Sequence, residues 1–448
     1  MFEHKGYNTE TGQGAFQKEY FFRRICLLVV GLNKTLIFTP SQKLKLYRVS
    51  LLNQDKIAMK KVSIKLTALA LLLGGAGNYV IAQTNQADPI NVVTSAVPFL
   101  RISPDARGGG MGDLGIATSA DANSAFWNLA KTPFCTNNGG IALTYTPWLK
   151  DLGLNDVYLV SGSGFFKLDD EQAISASIRY FSLGSIQFTD NLGNELSSFR
   201  PREFAFDAGY ARKLSKKLSI GIALRYINSN LANGAINGVS YKAGSSVAGD
   251  ITMFHSSGKA DGSGVNYGVT LTNLGSKISY TSDANQKDYI PANLGLGITY
   301  TKVIDEANKL TFGLDLHKLL VPTPPAVGDT NGLTKYRSQG VVNSWFKSFG
   351  DAPGGFSEEV KEIQASLGAE YWYNNQFAFR AGYFYENPVK GNRKYFTLGA
   401  GLKYNNFGLN FSYLLPSGNG TNRNPLSNTL RFSLFFDFDG GGSATAKK

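Results

Sequence analysis

From about residue 140 onward, apolar and polar side chains alternate along the chain with a period of two. Phe204, Phe206, Ala208 and Tyr210 fall on one side, and Glu203, Asp207 and Gly209 on the other. Leu218, Ile220, Ile222, Leu224 and Tyr226 oppose Ser219, Gly221 and Arg225, and Leu310, Phe312, Leu314 and Leu316 oppose Thr311, Gly313, Asp315 and His317. The same beat recurs at Leu294–Tyr300, Phe377–Tyr383, Phe407–Leu415 and Leu430–Phe438. An extended chain sends alternate side chains to opposite faces, so each run predicts a strand. About fourteen such segments lie between Gly140 and Phe438, within the range of transmembrane barrels.

Period alone also suits a soluble sandwich. Three features favour a membrane. The strands run to about ten residues, the length that crosses a bilayer at a tilt. Tyr and Phe recur near strand ends, where aromatic girdles sit at the interfaces. The polar faces are Gly, Ser, Thr and Asn with isolated charges, as a lumen requires. No apolar run after residue 140 approaches the ~20 residues of a spanning helix. In lipid a closed barrel is the sheet that satisfies every backbone group. The turns predict sidedness. Lys213–Lys217, Tyr373–Gln376 and Tyr404–Phe407 read as short periplasmic turns. Asn228–Gly249, Leu274–Ala292, Val321–Glu362 and Pro416–Ser427 read as long extracellular loops.

The start of the chain reads differently. Met59-Lys60-Lys61 opens an export signal, with an apolar stretch at Leu66–Leu73 and a Val80-Ile81-Ala82 cleavage site ahead of Gln83. Residues 1–58 then read as an extension upstream of the true start. The expected organisation is an extension (1–58), a signal (59–82), an N-terminal plug (83–139), a barrel (140–440) and a flexible tail (441–448).

Composition sharpens this picture. The chain has 448 residues, 50 of them glycine, with 12% aromatic and 17% charged residues. Soluble domains usually carry about 25% charged residues. The net charge of +12 invites a nucleic-acid reading, but residues 1–82 hold 12 basic and 4 acidic groups, and the remainder 33 and 29. No basic run with interleaved aromatics supports nucleic-acid binding. Of Cys26 and Cys135 only the second survives processing, so no intrachain disulfide is expected. His4, His255 and His317 are too scattered for a metal site. No cofactor is implied. Gly110-x-Gly112-x-x-Gly115 formally matches a dinucleotide fingerprint, but Pro104 and Asp105 precede it where a buried strand is needed.

The segment around those glycines carries a resemblance. Asp105-Ala106-Arg107, Gly110-Met111-Gly112-Asp113, Gly115, Ala117, Asp121-Ala122-Asn123 and Trp127-Asn128-x-Ala130-Lys131 match the pattern of the PorV family of the Bacteroidetes type IX secretion system. Leu129 stands where the family usually has proline, which leaves that turn's φ unfixed. The resemblance runs over residues 83–440, and the Asp-Ala-Arg motif is shared with neighbouring families, including PorQ. It implies an all-β fold: a transmembrane antiparallel β-barrel of the fatty-acid-transporter-like superfamily in the bacterial outer membrane. It implies a component that meets cargo at the SprA/Sov translocon barrel and delivers it to a surface complex containing the sortase-like PorU. Cargo proteins of this system carry C-terminal signal domains.

Two sets of residues stand out. Asp105, Arg107, Asp113, Asp121 and Asn128 are candidates for plug contacts in the lumen, the charged ones pairing with wall charges such as Arg225 or Arg380. Static ion pairs of a fixed plug are favoured over gating. Trp345, Phe346, Phe349 and Phe356 lie in the longest loop, either as a partner-binding surface or packed back onto the barrel mouth. Two other functions compete with a secretion role. One is transport of hydrophobic small molecules. The other is lipopolysaccharide deacylation, for which no Gly-x-Ser-x-Gly elbow exists and His255 and His317 lack a nucleophile, His317 reading instead as a lumen or rim pair with Asp315.

Overall fold

The computed structural model describes residues 91–438, except 190–191, 233, 237–238, 284–285, 327, 416–425 and 427. The expected extension, signal and tail fall outside the described residues, as does most of the loop expected at Pro416–Ser427.

The alternating runs form strands. They are β1 (Gly139–Pro147), β2 (Val157–Lys167), β3 (Gln172–Leu183), β4 (Ile186–Thr189), β5 (Glu195–Phe199), β6 (Arg202–Lys213), β7 (Leu218–Asn230), β8 (Gly234–Ile236) and β9 (Val239–Tyr241). They continue as β10 (Gly244–His255), β11 (Gly264–Gly275), β12 (Asn293–Val303), β13 (Asn308–Leu319), β14 (Gln364–Tyr373), β15 (Phe377–Tyr385), β16 (Lys394–Tyr404), β17 (Phe407–Leu414) and β18 (Leu430–Phe438). Fourteen of them close into one antiparallel barrel, with β4–β5 and β8–β9 as separate hairpins in two loops. The ring is sealed where β1 meets β18, in register from Gly139 opposite Phe438 to Tyr145 opposite Phe432.

The period-two pattern sorts the side chains. Ile141, Leu143, Ile222, Leu224, Leu296, Ile298, Phe379, Leu409 and Leu434 stand on the outside and are exposed. Thr144, Ser161, Asp207, Arg225, Thr299, Asp315, Glu370, Arg380 and Arg431 point inward and are buried. An apolar outer belt around a polar interior inverts the arrangement of a soluble protein and matches a lipid-embedded barrel. The chain is an integral outer-membrane barrel.

The two rims differ. One carries short turns (168–171, 214–217, 256–263, 304–307, 374–376 and 405–406) and the other carries the longer connections. In outer-membrane barrels the short turns face the periplasm. Two of the expected long loops are corrected. The loop read at Asn228–Gly249 is shorter, because β7 runs on to Asn230 and β10 begins at Gly244, with the β8–β9 hairpin between them. The loop read at Val321–Glu362 contains three helices, Thr330–Ser338, Val341–Lys347 and Phe356–Lys361.

Residues 91–138 run down the inside. Asn91 donates its backbone N–H to Val389 O and Ala96 donates to Tyr289 O, both on the long-loop rim. The chain then passes through the lumen and reaches Gly139 at the short-turn rim, where Lys167 N binds Asn138 O. Val97, Phe99 and Leu100 pack with Leu159, Ala205, Ile227 and Ile278 in the largest apolar cluster, beneath the extracellular loops.

Candidate functional site

The inner segment is tied to the wall residue by residue. Asp105 caps the helical turn Ala106–Gly109, its Oδ1 accepting from Gly108 N at 2.8 Å, while its Oδ2 accepts from Trp127 Nε1 at 2.7 Å. Ala106 N donates to Ser433 Oγ on β18 at 2.8 Å. Arg107 is the hub. Its Nε and Nη2 grip Glu370 of β14 at 2.9 and 2.7 Å, and its Nη1 donates to Asp121 at 2.7 Å. Arg380 of β15 donates Nε to the same Glu370 at 2.7 Å. Glu370 therefore sits between two guanidinium groups, one from the plug and one from the wall. Bidentate charge-assisted pairing of this kind fixes orientation as well as binding.

The remaining candidates hold backbone and wall. Asp113 adopts φ 62°, accepts from Tyr395 Oη at 2.5 Å and stands 3.7 Å from Arg431 Nη2. Asn128 donates Nδ2 to Ile116 O and Met253 O at 3.1 and 3.0 Å and accepts from Ala130 N. Lys131 is buried, donating to Gly115 O at 2.7 Å and Thr118 Oγ1 at 3.0 Å. Asp315 of β13 accepts from Gly115 N and Ile116 N at 2.7 and 2.9 Å.

Glycine lets plug and wall touch. A Cβ at Gly382 falls 2.0 Å from the carbonyl carbon of Met111, and one at Gly112 falls 2.6 Å from Tyr383 N on β15, while Gly115 makes room within the plug for the Trp127 ring. This is the use of Gly110-x-Gly112-x-x-Gly115. Gly112 sits at φ 75°, which a side chain resists.

Three pairings differ from expectation. Arg225 does not reach the plug: it is held on the wall by Asp207, Asp250 and Asn273. That cluster surrounds a break in register between β10 and β11 at Gly249/Ile251, where Asp250 Oδ1 accepts Asn273 N at 2.7 Å. The Arg380 contact runs through Glu370 rather than directly to a plug carboxylate. His317 is not paired with Asp315: it faces Asn293 at 3.1 Å, and Asp315 serves the plug backbone. His255 stacks on Tyr267 at 4.4 Å. Glu370, Asp315, Ser433 and Arg431 are the wall partners that sequence reasoning missed. Each is a polar residue on an inward strand position.

The long loop between β13 and β14 forms the second region. Its base is pinned by Lys318, which binds Glu359 and Glu362 at 3.0 and 2.7 Å, and by Lys390, which binds Glu358 and Glu362 at 2.5 and 3.0 Å. Burial works against the Lys390 charge, but Glu358 and Glu362 hold the group above the usual lysine value. Burial also lifts the Asp351 carboxyl above its ordinary range, where it accepts from Thr323. Above this base the helix Val341–Lys347 and the turn beyond it present apolar side chains. Phe346 is 74% exposed, Phe349 50% and Phe356 82%, while Trp345 is half-buried. Phe349 also lies 5.9 Å from the Lys318 ammonium, beside the base.

A family described as "Type IX secretion system protein PorV" matches residues 83–326. No curated protein matches the sequence. Among solved structures, the Ralstonia pickettii toluene transporter TbuX is 12% identical with a TM-score of 0.44, covering 75% of this chain and 98% of its own. The P. putida toluene transporter TodX is 12% identical at 0.44, covering 76% and 99%. A Pseudomonas aeruginosa FadL homologue is 12% identical at 0.42, covering 78% and 99%. These likenesses concern the barrel fold alone.

Proposed function

The chain belongs to the PorV family of type IX secretion system proteins, and on that premise we propose that this outer-membrane barrel collects cargo at the translocon and carries it to the attachment complex at the cell surface. The observation that carries the reading is the β13–β14 loop, where Phe346 and Phe356 are largely exposed and Phe349 half so, next to a base held by Lys318 and Lys390. Exposed aromatics on a rigid support are what a protein-binding surface needs, because the apolar area is presented with little ordering cost. The partners on this reading are a SprA/Sov-type translocon barrel, cargo bearing C-terminal signal domains, and a PorU-type sortase-like protein.

Passage of hydrophobic molecules through the lumen draws less support. The cavity between plug and wall on the extracellular side sets Arg101, Arg179, His317 and Arg393 among apolar residues such as Phe126 and Phe384, and these cationic and polar groups suit a polar guest. The test is a gentle detergent pull-down of tagged protein from native membranes. Recovery of a very large barrel and of proteins sharing a C-terminal domain supports the shuttle, and their loss on Phe346→Ala/Phe356→Ala places the contact on this loop. Recovery of lipid alone overturns the proposal.

A further inference from the structure

The polar cavity above the plug holds cations that the protein leaves without acceptors. Its volume is about 120 Å3, and its walls come from the descending strap (Arg101), from β3 (Arg179) and from the β15–β16 loop (Arg393). Arg179 is 4% exposed, yet among the described residues its only hydrogen bond is from Nη1 to Leu100 O at 2.7 Å. Its guanidinium lies over the Phe126 ring at 4.8 Å, and its Nε has no partner. A guanidinium carries five N–H donors, and buried donors are normally matched. Arg101 Nη2 is likewise buried without a hydrogen bond, 3.8 Å from Glu386.

The nearby carboxylates are already engaged. Glu386 is gripped by Arg393 at 2.8 and 3.0 Å. Asp207 and Asp250 are taken by Arg225. Asp113 binds Tyr395 and faces Arg431. Arg101 and Arg393 share the single carboxylate Glu386, which leaves one positive charge over at the mouth of the cavity.

We propose that this cavity is a binding site for a carboxylate, received between Arg179 and Arg101. The Arg101 and Arg393 side chains are 23% and 31% exposed, so the approach is from the extracellular rim, while the plug closes the floor. The space is large enough for a small carboxylate together with bound water. The carboxylate arrives either as a free small anion or on a polypeptide terminus or acidic side chain.

The experiment uses crystals of the detergent-purified barrel soaked in sodium bromide. An anomalous bromide peak within hydrogen-bonding distance of an Arg179 or Arg101 nitrogen is expected, and added acetate should displace it. Arg179→Gln and Arg101→Gln, each checked for an intact barrel by heat-modifiable mobility, should lose the peak. Displacement by triglycine and not by triglycine amide identifies a polypeptide carboxylate, and displacement by acetate alone identifies a free anion. A cavity that holds only water, a peak that survives in both variants, or a halide that acetate leaves in place overturns the proposal.

Discussion

The plug and the β13–β14 loop are both irregular segments fastened to the same barrel by buried charge, and they end in opposite states. In the plug, Arg107 and Glu370 lie inside the lumen, Asp315 and Asn128 hold the backbone around them, and glycines bring the two surfaces into contact. In the loop, Lys318 and Lys390 hold only the base, and the aromatic tip touches little. One charge cluster holds a segment inside the lumen, and the other holds the foot of an exposed surface. Charge pairing sets position in both, and what surrounds the pair decides whether the segment is filler or contact.

The largest effect should come from Arg107→Ala. It leaves Asp121 without this pairing and Glu370 with Arg380 alone, and breaking a buried pair costs on the order of 3–5 kcal/mol. Hydrogen exchange of the plug amides, read on the detergent-solubilised barrel, should then rise at least a hundredfold, with wall amides unchanged. Wild-type protection would erase the distinction between plug and loop.

Gly382→Ala comes next. The added methyl group meets the Met111 backbone, and overpacking of this kind costs roughly 1–3 kcal/mol. The plug should loosen while the barrel stays folded, as shown by exchange and by heat-modifiable mobility. Equal loosening of plug and wall would mean that the two unfold as one unit.

Phe346→Ala/Phe349→Ala/Phe356→Ala should change thermal stability by less than about 0.5 kcal/mol, as surface changes usually do. The same variant should lower cargo recovery at least tenfold, which is the signature of hot-spot removal. Lost stability with retained recovery would show that these rings pack in the way the plug does.

The smallest effect is a pH response of the loop base. Lys390 is raised in the folded state, so its contribution is complete below the ordinary lysine value of about 10.4 and is lost as pH climbs through the elevated one. Protease cleavage of the loop should be flat from pH 7 to about 10 and accelerate above it. Acceleration near neutrality would assign the anchoring to other groups.

The barrel was legible because lipid enforces the pattern. Every outward position must be apolar, so Leu218–Tyr226 and Leu310–Leu316 declare their faces without reference to any partner. The plug residues were also visible, since Asp105, Arg107, Asp113 and Asp121 stand among glycines in a short run. Their partners were not. Arg107 and Glu370 are 263 positions apart, and a lone Glu on an inward face looks like any lumen charge. The register between plug and wall is set by three-dimensional fit at Gly382 and Gly112, which no periodicity encodes. The loop helices were missed for another reason. Val341, Trp345 and Phe349 keep helical spacing, but the run is only two turns long and its apolar side chains stay largely exposed.

The path of residues 91–138 constrains how the molecule can be made. The strap starts against Val389 and Tyr289 at the outer rim and leaves the lumen beside Asn138 at the inner one. Stringing a finished hoop afterwards would mean drawing that length of polypeptide past inward side chains such as Arg380 and Arg431 that close on it in the folded state. The seam between β1 and β18 is the one barrel pairing between the two ends of the strand order, so it is the natural place for the ring to zip shut around a thread already lying in place.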